Sequence, residues 1–261
     1  FISPIDEEPI LVDIRPFHGV HYNRKLVKDL SRVLCPPYDI ITPGLQQELY
    51  QRSDYNFVRL EFGRELPHDI ETDNKYTRAL ATLEKWLSED ILTIDSKPAI
   101  YIHDYHFSYL SRRYCRRSLI CLVKLEEWDA DIIRPHEGTF SKDKSDRLQI
   151  LWTLNANTSP VLSLYEDAQK RLSPLLKTET NGKPFLKFTG DNDETHYLWA
   201  VTSTEVIDLM RDVFADKPLY IADGHHRYES ALTYCRERRL LSGPAPTGEE
   251  EPFNFVMMTL V

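Results

Sequence analysis

The segment "IADGHHRYESAL" (221–232) concentrates residue types that are suited to binding an anion. An apolar stretch precedes Gly224, and His225, His226 and Arg227 follow it directly. A glycine lets a ligand approach the backbone closely, an arginine presents a planar fork to a phosphate, and a histidine can donate hydrogen bonds or transfer a proton. If a helix begins here, its N–H groups and dipole add to the attraction. We therefore predict a phosphate-binding turn whose side chains face an open cavity.

A purely structural interpretation of this segment stays open. Asp223 would cap the helix with its carboxylate, Gly224 would ease the turn, and the three residues that follow would be solvated. The two glycine-rich phosphate motifs, G-x-x-x-x-G-K-[ST] and G-x-G-x-x-G, occur nowhere in the sequence. If Asp223 and its neighbours hold a phosphate, they do so without either of these glycine-rich motifs.

A second polar segment, "RPHEGTFSKDKSDR", carries candidate catalytic residues. Transfer of a phosphoryl group to a hydroxyl needs a carboxylate that orients or deprotonates the acceptor, and cations for the developing charge. Glu137 could be that carboxylate, with Lys142 and Arg147 on the phosphates and with His136 and Thr139 on the substrate. The alternative is a solvated loop that leads into a capped helix.

Two N-terminal motifs offer further candidates. In "CPPYDII", Asp39 follows a rigid proline pair and could hold Mg²⁺, which takes one or two carboxylates in phosphate sites; it could also close an Asx turn. In "RPFHG", Arg15 could contact the substrate beside His18. A buried ion pair and a turn histidine would explain Arg15 and His18 equally well.

Composition limits the class of protein. The chain has 261 residues, 41% hydrophobic residues and a net charge of −9, which is typical of a folded domain and disfavours nucleic acid as the main partner, although a local basic patch stays open. Four widely spaced cysteines form neither a zinc ribbon nor a disulfide framework. Without a signal peptide or a long apolar run, we expect a cytoplasmic protein and no membrane partner. Since the chain starts at Phe1 and stops in the apolar run "FNFVMMTLV", we also expect it to continue beyond Val261.

The pattern of elements predicts a mixed α/β fold. Thr42 and Pro43 begin a helix that runs through Tyr50, and apolar spacing predicts an amphipathic helix over 72–87. Two strands follow, joined by the basic turn "SRRYCRR". After a helix and an extended stretch, a second strand pair turns at 190–193.

An α-β-α unit closes the chain. Thr202 and Glu205 predict a capping box, and Val206, Leu209, Met210 and Val213 form the buried face of the helix that follows. The strand "PLYIA" precedes the opening motif, whose helix ends near residue 242. We divide the chain into an irregular segment (1–70), a mixed α/β part with the HEGT loop (71–200) and a nucleotide-binding unit (201–261).

Four motifs in the same order carry a family resemblance. "RPFHGV", "CPPYD", "PHEGTFSKDKSDRL" and "ADGHHRYESAL" closely resemble the bacterial and archaeal family known as domain of unknown function 1015, from about Arg15 to the end. That family resembles the ParB/sulfiredoxin superfamily, whose G-x-x-R element lies on a strand-to-helix turn and binds nucleotide phosphates. Residues 224–227 coincide with that element. The resemblance therefore implies a ParB/sulfiredoxin-like core with additional β-hairpins.

The resemblance also ranks the functions. Sulfiredoxin has its reactive cysteine where this chain has His225, and no helix-turn-helix like that of partition proteins is evident. The activity that remains within the superfamily is that of the free-serine kinases. The resemblance therefore implies ATP or ADP as the phosphate donor, CTP as the alternative nucleotide, and Mg²⁺ as the metal ion. We expect His226 and Asp39 to join Glu137 in catalysis. A non-catalytic nucleotide-binding switch is the second hypothesis, and a nucleic-acid-associated protein that uses "SRRYCRR" is the third.

Overall fold

The structure is a computed structural model that describes residues 12–138, 141–190, 194–242 and 251–261, with the backbone alone for residues 141–144. The strands are β1 (Ile14–Arg15), β2 (Val20–Tyr22), β3 (Leu92–Ile94), β4 (Ile100–Tyr109), β5 (Arg112–Lys124), β6 (Ile133–Arg134), β7 (Val161–Leu164), β8 (Leu186–Thr189), β9 (Thr195–Val201), β10 (Leu219–Asp223) and β11 (Phe255–Leu260). The α-helices are α1 (Pro43–Arg52), α2 (Val58–Glu61), α3 (Lys75–Ser88), α4 (Ser141–Leu154), α5 (Leu172–Glu179), α6 (Thr204–Phe214) and α7 (His225–Ser242).

Nine of these strands form one mixed sheet. Eight follow the order β6-β10-β7-β11-β5-β4-β9-β8, and β1 pairs with the end of β5 that β4 does not reach. The pairs β6–β10 and β7–β11 are parallel and the others are antiparallel. Strands β2 and β3 form a separate ribbon. The mixed α/β class that the sequence predicts is confirmed.

Strands of the large sheet come from each of the three segments into which we divided the sequence. Strand β1 lies in the first segment, β4 to β9 in the second, and β10 and β11 in the third. Strand β11 is held between β5 and β7, so the apolar C-terminal run has a strand neighbour on each side. The division itself stays a prediction.

The amphipathic helices follow their apolar patterns with two local differences. Asn74 caps α3 and forms a capping box with Thr77, and Trp86 is buried on the inner face. For α6 the cap is Ser203, which accepts from the N–H of Val206, so the predicted box at Thr202 was wrong by one residue. Leu209 of α6 is 54% exposed although we predicted it to be buried.

The hairpin of β4 and β5 turns at a different place from the one predicted. Leu110 and Ser111 have positive φ values of 46° and 60° and form the tip. The arginines of "SRRYCRR" therefore lie within strand β5, not in a turn. Their side chains alternate between the two faces of the sheet because successive residues of a strand point to opposite sides.

The main core lies between the sheet and the helices that pack on it. Ile100, Leu119, Val161 and Met258 of the sheet are fully buried with Met210 of α6. All four cysteines lie in described ranges and are free thiols. Within the part of the chain that the structure describes, no helix combines the length and apolar character that crossing a membrane would require.

Candidate functional site

Strand β10 passes directly into helix α7 through Gly224. The glycine has φ +91°, a conformation that residues with a Cβ rarely adopt. The first helical hydrogen bond runs from the N–H of Tyr228 to the carbonyl of Gly224, 3.0 Å. The N–H groups of the preceding residues, 225–227, therefore belong to the open first turn of the helix. Tyr228 and Leu232 are buried and fix the helix against the sheet.

The space beside Gly224 is filled by an arginine of the same motif. A Cβ at residue 224 would lie 2.9 Å from Nε and 3.0 Å from Cζ of Arg227. The sequence interpretation was that glycine leaves room for a ligand. In the structure that room is taken by the guanidinium group, which folds back over the turn.

Arg227 is paired within the protein. Its Nη2 donates to Oδ2 of Asp223 at 2.5 Å, and its Nη1 donates to the carbonyl of Pro160. Its Nε is buried and has no acceptor among the described residues. The carboxylate of Asp223 therefore holds the arginine, which differs from the helix-capping role that the structural interpretation gave to it.

His225 is buried beneath the turn, with 1% of its surface exposed. Its Nε2 lies 3.3 Å from the N–H of His136 and accepts from it, which places the ring proton on Nδ1. Nδ1 is 3.0 Å from Oε1 of Glu137, although the contact lies outside hydrogen-bond geometry. Burial lowers the pKa of His225, and this effect outweighs the opposing effect of Glu137. The imidazole is therefore neutral at pH 7.

The loop after β6 delivers Glu137 to this point. Because β6 and β10 are parallel neighbours, the chain leaves both strands at the same edge of the sheet. The Nδ1–H of His136 donates to the carbonyl of Ile221 at 2.7 Å, and its ring packs edge-on against His225 at 4.5 Å. The side chain of Glu137 stays 56% exposed above them.

These residues line an open cleft of about 420 Å³. Four separate parts of the chain build it: the 3₁₀ turn Tyr38–Ile40 with Ile41, Phe62 at the end of α2, the loop that carries Glu137, and the turn into α7. The lining residues are Tyr38, Asp39, Ile41, Phe62, Glu137, Asp223, Gly224, His225, His226 and Arg227. The cleft therefore brings together seven of the residues that the sequence singled out. The predicted cavity exists, but its arginine is already engaged.

Arg147, predicted to bind phosphate, lies elsewhere. Only 4% of it is exposed, and its guanidinium donates to Oε1 of Glu61 at 3.0 Å, to the backbone carbonyl of the same residue at 2.9 Å, and to Asp146. It packs 4.0 Å from the ring of Tyr38, behind the cleft wall. In this arrangement the guanidinium supports the wall and does not face the cleft.

Two other predicted site residues, Arg15 and His136, do not line the cleft. Arg15 lies in β1, donates to Asp13 at 2.8 and 3.1 Å and covers the ring of Phe255. His136 holds the loop but does not line the cavity. Thr139 and the side chain of Lys142 lie outside the described residues, so their assignments stay predictions.

Among the described residues, three side chains near the cleft could together hold one metal ion. His136, Glu137 and His225 place one ligand atom each within 4.8 Å of one another. Two imidazoles suit a transition metal better than Mg²⁺, which prefers oxygen. The proton on Nδ1 of His225 faces Glu137, so binding there would require this proton to leave. Asp39, exposed and on the cleft, is the better oxygen ligand for Mg²⁺.

Sequence reasoning missed the apolar wall of the cleft. Tyr38, Ile41 and Phe62 line it, and the carbonyl of Pro160 holds Arg227. Tyr38 stood beside Asp39 in a motif that was already singled out, so its position was the available signal. Phe62 and Pro160 follow no pattern that distinguishes them from other core or loop residues.

A family model with the description "Protein of unknown function (DUF1015)" matches residues 14–261. The mixed α/β fold described above covers the same residues, and the chain belongs to this family. No curated protein and no solved structure matches it.

Proposed function

We propose that this protein is a nucleotide-dependent phosphotransferase that acts on a small hydroxyl compound, with free L-serine as the best candidate. One observation carries the proposal: Glu137, Asp39 and the first turn of α7 face one cleft although the sequence separates them widely. A helix N-terminus attracts phosphate oxygens. A carboxylate at the same cleft is suited to orienting an acceptor hydroxyl.

In the proposed reaction the hydroxyl oxygen attacks the terminal phosphorus of ATP or ADP. The new O–P bond forms as the bridging P–O bond breaks, and the shortened nucleotide leaves. The hydroxyl proton passes to Glu137. His226 lines the same cleft and is suited to donating a hydrogen bond to the transferred group.

The charge of the cleft makes Mg²⁺ part of the proposal. Its lining holds three carboxylates and one guanidinium, which would repel a bare polyphosphate. Asp39 could hold a magnesium ion, which would offset that charge and stabilise the negative charge of the phosphates. Arg227 would then exchange Asp223 for a phosphate oxygen.

We further infer that the turn from β10 into α7 is the phosphate element of a ParB/sulfiredoxin-like core. A strand, a glycine with positive φ and an arginine three residues later support this assignment. A solved structure with a nucleotide bound at residues 224–227 would test it directly.

The activity test is incubation of the protein with Mg²⁺, L-serine and either ATP or ADP, followed by mass spectrometry for O-phosphoserine. The account predicts product with one donor at least, and none with Glu137→Gln. Glu84→Gln is the matched control because Glu84 is exposed on α3, away from the cleft. Absence of product with both donors and a panel of other small alcohols would contradict the proposal.

A nucleotide-binding switch without chemistry is the second candidate. It is favoured by the pairing of Arg227 with Asp223 and Pro160, since phosphate entry would have to break these contacts and could rearrange the turn. Nucleotide binding without turnover, accompanied by altered proteolysis near Pro160, would support this candidate over the kinase.

A further inference from the structure

One face of the β4–β5 hairpin carries a continuous group of aromatic rings that lies outside the cleft. Alternate residues of β4 share this face, among them Tyr105, Phe107 and Tyr109. Tyr105 and Phe107 stack at 4.9 Å, and Phe107 stacks on Tyr114 of β5 at 5.7 Å. Tyr109 and Tyr114 are 62% and 42% exposed.

The group extends across four strands. In register lie Phe188 of β8, His196 of β9, Tyr105 of β4 and Arg116 of β5. The rings of Phe188 and His196 are 4.5 Å apart, those of His196 and Tyr105 are 4.8 Å apart, and the guanidinium carbon lies 5.2 Å from the tyrosine ring. The result is a row of rings stacked on one another that ends in a cation, and Tyr109 and Tyr114 at the hairpin end are the exposed rings that offer a stacking surface.

The charge of this hairpin is opposite to that of the chain. Residues 103–118 hold four arginines and one acid, Asp104, whereas the whole chain carries −9. Arg117 is paired with Asp104 on the other face, which Arg113 opposite Ser108 also shares, so Arg112 and Arg116 are the arginines beside the rings. Nε of Arg116 is buried and has no acceptor among the described residues.

We propose that this face, Tyr105, Phe107, Tyr109 and Tyr114 with Arg112 and Arg116, binds single-stranded nucleic acid. Successive bases stack on aromatic side chains because every base has a π-face, while cations contact the phosphates. Glu194 accepts a hydrogen bond from Tyr105, and its carboxylate would repel phosphates there, so we expect the nucleic acid to run toward the hairpin tip, where Tyr109 lies opposite Arg112. The inference is independent of the chemistry proposed for the cleft.

A second copy of the chain fits this face less well. A two-fold symmetric contact places the same patch on both partners. The positive charges of Arg112 and Arg116 on one copy would then share an interface with those on the other copy, a like-charge arrangement that disfavours association.

The test is fluorescence anisotropy with labelled oligo(dT) and oligo(rU). An oligonucleotide of about 12 nucleotides is long enough to cross several β-strands of the sheet. We expect saturable binding to single strands and weaker binding to a duplex of equal length. With about two phosphate contacts, log Kd should change with log salt by a slope of about 1.4. Between about 50 and about 200 mM salt this corresponds to a loss on the order of tenfold.

Two variant sets at exposed positions separate stacking from charge. Tyr109→Leu should weaken binding at least about fivefold while Tyr109→Phe retains it, because the ring provides the stacking surface. Arg112→Gln should weaken binding and lower the salt slope by about 0.7, whereas Arg113→Gln, on the opposite face, should change both less. Arg24→Gln with Lys25→Gln is the matched control, since both residues are exposed on another part of the chain.

Three outcomes would overturn the proposal. The first is no binding of either oligonucleotide at low salt. The second is affinity unchanged by Tyr109→Leu. The third is self-association in sedimentation that the same variant abolishes while oligonucleotide binding is absent, which would make the face a contact between copies.

Discussion

Nδ1 of the buried His225 lies 3.0 Å from Oε1 of the exposed Glu137. The N–H of His136 fixes the imidazole by donating to Nε2. A neutral ring with its proton on Nδ1 therefore faces the carboxylate and restricts where it can lie. The carboxylate that we assign to the acceptor hydroxyl thus lies against the first residue of α7, the same helix that offers its N-terminus to the phosphates.

Replacement of that carboxylate should separate chemistry from binding. Glu137→Gln keeps the shape of the side chain but cannot accept a proton, so we expect the rate of phosphotransfer to fall by about 10²–10⁴-fold. Nucleotide affinity should change little, since the phosphates contact the helix turn. Rate and affinity measured on one preparation check this. An equal loss in both would contradict the assignment.

A substitution at Gly224 tests whether the turn from β10 into α7 requires a glycine. Gly224→Ala forces an alanine into φ +91° and places its Cβ against the guanidinium of Arg227. We therefore expect the free energy of unfolding to fall by about 1–3 kcal/mol. We also expect weaker phosphate binding, because the guanidinium has to move. Gly44→Ala is the matched control. It lies in α1 with no atom within 4 Å of the added Cβ, and should leave stability unchanged or raise it by up to about 1 kcal/mol.

Urea unfolding of both variants measures these effects. Equal stability of the two alanine variants would show that the turn accepts a side chain. The role that we assign to Gly224 would then be wrong.

The sequence predicted which elements form the site better than it predicted which side chains pair with one another there. Strand, glycine and helix near residue 224 follow from apolar spacing, and the common cleft of Asp39 and Glu137 agrees with their assignment to one reaction. What could not be predicted is how Arg227 is used, because its partners Asp223 and Pro160 depend on tertiary contacts. Sequence spacing alone cannot tell a solvated cation from a paired one.

Arg147 illustrates the same limit. It looked like a phosphate ligand because it stood in a polar segment, yet it forms an ion pair with a fully buried Glu61. The glutamate lies far away in the sequence and in no polar motif. Only the packing of α4 near α2 brings the two together.

This ion pair provides a third prediction. Arg147→Met leaves Glu61 buried without its cation and should cost about 3–5 kcal/mol of unfolding free energy. The double variant Arg147→Met/Glu61→Gln should recover part of the loss and bind nucleotide as the wild type does. Thermal unfolding and nucleotide titration check both statements. Lost affinity in a stable double variant would instead support a phosphate contact.

Two partly buried histidines, His103 and His196, predict how stability depends on pH. Burial lowers the pKa of His103 to about 4, with His196 and Arg116 adding to the effect, and burial also lowers the pKa of His196. Since the unfolded chain takes up protons at a higher pH, near 6.5, stability is complete above that value and falls as pH decreases toward 4. His103 alone would account for up to about 3 kcal/mol.

Urea unfolding midpoints at several pH values measure this slope. His103→Gln should flatten it, whereas His68→Gln, at an exposed position, should not. A slope that is the same in both variants would contradict the prediction.

Calorimetric titration of the protein with ADP, with and without Mg²⁺, tests the central claim most directly. The account predicts saturable binding that requires Mg²⁺, is weakened by Asp39→Asn and by Arg227→Ala, and is retained by Arg24→Ala. Absence of heat with ADP, ATP and CTP at millimolar concentrations, or binding that neither cleft variant weakens, would show that the cleft beside residue 224 does not hold a polyphosphate.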